Sequence, residues 1–133
     1  MKKSILLFAF TTLFFISCSS DSDNNSTIDT SQIVGVWFLE SATIDGEEVG
    51  SSDEIEFKSN QRAFFTYYNF GSNGQDITES GDYSVGGSTL TISWDDSDPG
   101  NETLIFQILE LTSSRLKLRS NVDGDILIET YTK

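Results

Sequence analysis

From Ile33 to Lys133 the chain never holds a helical period for a useful length. Short runs rich in Phe, Ile, Leu, Thr and Tyr are instead cut again and again by clusters of Gly, Asn, Asp and Ser. Apolar residues at every second position give an extended strand one face for a core and one for water, and turn residues between the runs fold the chain back on itself. The cleanest case is 54–58, where Ile55 and Phe57 face in and Glu54, Glu56 and Lys58 face out. Gly86-Gly87 joins 81–85 to 89–94 as a hairpin that turns Leu90, Ile92 and Trp94 inward, and the pairs Asp45-Gly46 and Asp123-Gly124 mark two more turns. Residues 115–119 put Leu116 and Leu118 inside and Arg115, Lys117 and Arg119 outside.

Two runs resist simple alternation. The segment 62–70 is aromatic on both faces, with Phe64, Tyr68 and Phe70 on one and Phe65 and Tyr67 on the other. In 102–112, Leu104, Phe106 and Ile108 share a face before Leu109 and Leu111 claim the opposite one, and a β-bulge at 108–110 would return both sets to the core. With 35–44 and 125–132 the count reaches eight strands, and 71–79 reads as a polar connection. Eight twisted strands on short turns must hide their edges, so the expected fold is all-β: an eight-stranded antiparallel up-and-down meander closed into a barrel, its last strand beside its first.

The first strand opens with Gly35 two residues before Trp37. A Trp ring is too large to leave in water and its indole N–H needs an acceptor, which suits the end of a barrel where ring and backbone meet. Gly35, lacking a Cβ, lets another segment pass close by. Alternation then turns Leu39 inward and Val36, Phe38 and Glu40 outward.

The residues ahead of this strand carry an address. Lys2 and Lys3 precede an uncharged apolar run at 5–16, too short to span a bilayer as a helix. It ends in Phe15-Ile16-Ser17-Cys18, which resembles a bacterial lipobox, with Phe where Leu is usual. That resemblance implies a lipoprotein signal peptide over 1–17 and lipidation of Cys18, the single Cys of the chain. Residues 18–32 are then the acylated Cys and a flexible acidic tether, and 33–133 the folded domain. The Ser/Asp-rich stretch at 19–25 resembles the signal by which Bacteroidetes lipoproteins reach the outer leaflet of the outer membrane. The expected localisation is therefore an outer-membrane lipoprotein, with cell-surface exposure implied by the second resemblance.

Charge and composition narrow the chemistry. With 21 acidic against 8 basic residues the net charge is −13, which argues against nucleic acid and against anionic lipid surfaces as partners. There is no His, and the single Cys is committed to acyl chains. Disulfides, the usual zinc ligand sets and Ser-His or Cys-His catalysis are thereby removed. No cofactor is expected. The loop 95–102 is rich in carboxylates, and Asp96, Asp98 and Glu102 form a weak calcium candidate that lacks the ligand spacing of an EF-hand. A solvated loop is the default there. Glu47 with Glu48, and Asp123 with Asp125, are paired carboxylates that nothing places in a cleft, so the chain is read as a non-enzyme.

Five segments together carry a family resemblance: Ile-Val-Gly-Val-Trp at 33–37, Ile-Glu-Phe at 55–57, Gly-Asp-Tyr-Ser-Val at 81–85, Leu-Thr-Ile at 90–92 and Ile-Leu-Glu-Leu-Thr-Ser-Ser-Arg-Leu-Lys-Leu at 108–118. Their order and spacing resemble the short lipocalin-like domain of Bacteroidetes outer-membrane lipoproteins. The disulfide and C-terminal helix of larger secreted lipocalins are absent, so the pockets of those proteins do not transfer. An eight-stranded barrel has room either to be filled by side chains or to hold one small ligand. The residues expected to line it are Trp37, Leu39, Ile55, Phe57, Phe64, Tyr83, Leu90, Ile92, Trp94, Phe106 and Leu118. Two readings remain open at this level: a lipid-anchored binding module for a small apolar ligand, and a filled barrel acting through its outer surface as an accessory or inhibitor, its protein partner unspecified.

Overall fold

The computed structural model describes residues 28–50, 53–95 and 103–133. A 3₁₀ turn, Thr30–Ile33, leads into nine strands: β1 (Gly35–Ile44), β2 (Glu47–Val49), β3 (Asp53–Phe57), β4 (Arg62–Tyr67), β5 (Ile77–Gly86), β6 (Thr89–Trp94), β7 (Thr103–Leu111), β8 (Arg115–Val122) and β9 (Asp125–Thr132). The order β1-β3-β4-β5-β6-β7-β8-β9, with β9 returning to β1, closes an eight-stranded antiparallel barrel. The ninth strand, β2, adds nothing to the circumference. The first half of β1 pairs with β3 (Trp37↔Ile55) and the second half with β2 (Thr43↔Glu48), so β2 and β3 are successive pieces of one returning strand. Alternation could not find β2, because Glu47 and Glu48 carry no apolar signal.

Turn chemistry sets two of the hairpins. Asp45 and Gly46 between β1 and β2, and Asp123 and Gly124 between β8 and β9, all have positive φ, the type I′ arrangement whose twist matches that of the strands. Two bulges re-aim side chains. On β1 the pairing with β9 shifts between Leu39 and Ser41, so Trp37 and Leu39 face in from odd positions and Ala42 from an even one. On β7 the shift falls between Ile108 and Glu110, as the broken period predicted, and Leu111 packs against the core. Leu109 does not join it: as the extra residue of the bulge it stays exposed. Outside the barrel, Arg115 reaches Glu40 at the first bulge (3.5 Å) and Glu110 at the second (3.4 Å).

Three further expectations need correction. Phe64 does not line the interior. The register sets Ala63 beside Phe57 and Phe65 beside Ile55, while Phe64 lies opposite Glu56 on the outer face, under the Lys58 ammonium at 4.4 Å. β4 also ends at Tyr67, so Tyr68 and Phe70 belong to the following turn, and β5 begins at Ile77, inside the stretch expected to be a polar connection. Finally, ordered structure starts before Ile33: Ile28 packs against the core, and Asp29 caps the 3₁₀ turn by accepting from the Ser31 amide at 3.1 Å. Cys18, the signal segment and the calcium candidates Asp96, Asp98 and Glu102 lie outside the described residues.

Candidate functional site

The barrel has two unlike ends. One is plugged. Ile33, from the 3₁₀ turn, and Trp37 are fully buried, and the indole N–H donates to the Ile33 carbonyl at 2.7 Å. Lys133 crosses this end from the last strand, its ammonium donating to the Gln32 and Val34 carbonyls, each at 2.8 Å, while lying 4.4 Å from the centre of the Trp37 ring. Gly35 makes that crossing feasible, since its φ is +135° and a Cβ there would stand 2.8 Å from Lys133 Cε. Above the plug, Phe57 and Tyr83 meet edge to face at 4.9 Å, and Ile55, Leu90, Ile92, Leu116, Leu118 and Ile108 complete a packed lower half.

The other end is hollow. A cavity of about 560 Å³ is bordered by Asp53 of β3, Phe65 and Tyr67 of β4, Trp94 of β6, residues 103–106 of β7, residues 120–122 of β8, and Leu127 and Glu129 of β9. Phe65 sits at the centre of an aromatic wall, 5.0 Å edge to face from Trp94 and 6.3 Å from Tyr67 in a stacked arrangement. Phe70, 76% exposed, stands beside the rim at 5.9 Å from the Tyr67 ring. Beyond Gln107↔Arg119 the β7–β8 ladder stops, although both strands continue, β7 against β6 and β8 against β9. The wall is therefore parted between 103–106 and 120–122, where a shallower recess lined by Ile105 and Asn121 adjoins the cavity from outside.

Of the eleven residues expected to line the interior, Trp94 and Phe106 border this cavity. Trp37, Ile55, Phe57, Tyr83, Leu90, Ile92 and Leu118 belong to the filled half, Leu39 packs against it, and Phe64 is outside. Sequence reasoning missed Phe65, Tyr67 and above all Glu129. Glu129 lies two residues before the wholly buried Tyr131, and that spacing on one strand was the available signal for its inward aim.

Glu129 is the chemically distinctive group of the site. Its Oε1 accepts a hydrogen bond from the Tyr131 hydroxyl at 3.1 Å. Burial nevertheless pushes its carboxyl up to about 7, with a further small push from Asp53, because the hydrogen bond offsets only part of the lost hydration. Burial also raises Tyr67 and Tyr131, keeping both hydroxyls protonated at neutral pH. Arg62 forms a separate outer-face cluster, donating to Asp82 at 2.9 Å, to Ser80 at 3.2 Å and to Asp95. The guanidinium, helped by the Ser80 hydroxyl, holds Asp95 down to about 2. That cluster ties β4, β5 and the end of β6 together and has no access to the cavity.

A closed eight-stranded antiparallel barrel, plugged at one end and hollow at the other, defines a calyx-type β-barrel. The chain belongs to the lipocalin-like domain family, whose model matches residues 33–118. Its fold is similar to that of a lipocalin-like protein from Bacteroides uniformis, at 20% identity and a TM-score of 0.58 over 77% of this chain and 98% of that one. A protein from Bacteroides eggerthii matches with 17% identity and a TM-score of 0.56 over 75% and 98%. The bovine lipocalin allergen Bos d 2 matches with 17% identity and a TM-score of 0.51 over 80% and 75%. Among curated proteins no sequence matches the chain.

Proposed function

We propose that this protein is a lipid-anchored, non-enzymatic binding module of the bacterial outer membrane that takes a small molecule with an apolar body into the hollow half of its barrel. The cavity of about 560 Å³, walled by Phe65, Tyr67, Trp94, Leu104 and Phe106, carries this reading. Its volume falls within the range of roughly 300–1,000 Å³ found for small-molecule sites, and the rings offer apolar surface to whatever displaces water from it. The parting between β7 and β8 supplies a way in. Trp94 makes the site self-reporting: titration of the protein with 1-octanol should shift Trp emission saturably, with calorimetry giving the same Kd. Leu104→Trp, which fills the cavity from one wall, should abolish that binding while the protein stays folded. Saturable binding that survives Leu104→Trp would place the ligand elsewhere and defeat the proposal.

The anchor rests on the lone Cys18 after its apolar run. Cys18→Ala should move the protein from the membrane fraction to the soluble or uncleaved pool, and unchanged membrane partition of a cleaved Cys18→Ala protein would overturn the assignment. The fold adds an orientation. Ile28 and the 3₁₀ turn lie at the plugged end, against residues 108–111, so the tether leaves from the end opposite the cavity. Ten residues from Cys18 to Ile28 reach at most about 35 Å fully extended, which would keep a lipid-anchored domain close to the membrane surface.

A further inference from the structure

We propose that the cavity selects ligands that carry a protonated amine on an apolar body, with Glu129 as the counter-ion. The proposal rests on the reading that this cavity is the binding site and deepens it by naming the chemistry of the ligand's head.

Three observations converge. First, two carboxyls, Glu129 and Asp53, border the cavity, and among the described residues no Lys or Arg does. The charged and titratable groups facing Glu129 are Tyr131 from its own strand, Tyr67 from β4 and Asp53 from β3. Its register neighbours on β8 and β1 are Leu118 and Ala42, which offer no charge. Second, the opposing wall is aromatic. Phe65, Tyr67 and Trp94 present π-faces and edges on which an ammonium is stabilised when water is excluded. Third, Tyr131 is itself fully buried and donates to Oε1 of Glu129, which fixes the carboxylate in place without neutralising it.

A fatty acid would have to bring a third carboxyl into this setting, where like charges in a poorly hydrated space repel strongly. A neutral alcohol gains from burial of its chain alone. An alkylammonium gains the same burial and in addition supplies the positive charge that the buried carboxyl lacks, as a charge-assisted hydrogen bond. Burial pushes the Glu129 carboxyl up to about 7, so uptake of an ammonium below pH 7 displaces a proton. Affinity for the amine should therefore rise about tenfold between pH 6 and pH 8, the change in the ionised fraction of a group titrating at about 7.

The test compares three eight-carbon compounds: octylamine, 1-octanol and octanoate. Each is titrated by calorimetry and Trp emission into the unlipidated mature chain (residues 18–133, Cys18→Ala), at pH 6 and pH 8. At pH 8, octylamine should bind at least tenfold more tightly than 1-octanol, and octanoate more weakly than either. Lowering the pH to 6 should weaken octylamine about tenfold and strengthen octanoate. Glu129→Gln, which keeps size and shape, should erase both the amine preference over 1-octanol and its pH dependence. Equal or weaker binding of octylamine relative to 1-octanol, or an amine preference that survives Glu129→Gln, overturns the choice of ligand while leaving the cavity as the site. Failure of all three compounds to bind overturns the binding-module reading itself.

Discussion

Trp37 of the first strand and Lys133, directly after the last, show how single residues seal one end of the barrel. The indole ring is fully buried, its N–H is satisfied by Ile33, and Lys133 lies over its face. Trp37→Ala removes a large ring from a packed layer and leaves a cavity beside the 3₁₀ turn. Urea denaturation should show a loss of about 3 to 5 kcal/mol, and a loss below about 1 would mean that the ring carries little of the core. Glu129 acts in the opposite sense, since it is more easily protonated in the fold than in the unfolded chain. The native state binds the extra proton between pH 4.5 and about 7, so this contribution is complete below pH 4.5 and is lost as pH rises through about 7. The shift corresponds to about 3 kcal/mol at most. Asp95 has the reverse linkage. Its carboxyl is held down to about 2 by Arg62, so its contribution is lost as pH falls from its ordinary 3.8 toward 2. Thermal melts across pH should thus show greatest stability at about pH 4 to 5, and Glu129→Gln should remove the decline above that point. A wild-type profile as flat as that of Glu129→Gln between pH 5 and pH 8 would show that the carboxyl is hydrated in the native state.

At the scale of the element, β7 and β8 divide into a paired half and a parted half. Near the plug, Leu111↔Leu116 through Gln107↔Arg119 continue the barrel wall across the bulge. Toward the cavity, each strand keeps its other neighbour and loses this one. Amides on the parted sides of 103–106 and 120–122 lack a ladder partner and open at little cost in free energy. Hydrogen exchange should therefore be fast there and slow in 116–118, and octylamine should slow it at the seam. Uniform protection along β8 would mean that the wall is closed in solution. The bulges matter for the same wall: without the extra residue at Leu109, Leu111 would point outward and leave the core short of a side chain beside Ile28.

For the molecule as a whole, the barrel interior is filled in one half and hollow in the other, where the sequence allowed either. The lower half is filled, and in the upper half Phe65 and Phe106 belong both to the core and to the cavity wall. The net charge of −13 attracts cations to the protein and repels anions. The exposed Phe70 beside the rim extends the aromatic wall outward.

Alternation, turn pairs and the missing helical period were sufficient to define an all-β meander, its closure, the turns at 45–46 and 123–124 and even the bulge at 108–110, because each is governed by neighbours along the chain. The aim of Trp37 and of the pairs Ile55/Phe57 and Leu116/Leu118 could be read for the same reason. Where a strand carries large apolar residues on both sides, local pattern is silent. The choice of Phe65 over Phe64 was made by the pairing of β4 with β3, which sets Ala63 and Phe65 on the face of Phe57 and Ile55. Glu129 was missed because a carboxylate on a strand ordinarily faces water, which outweighs its two-residue spacing from Tyr131. Only the closure of β9 onto β1 turned it inward, and whether an interior is filled or hollow depends on how eight strands diverge in space, which no stretch of sequence contains.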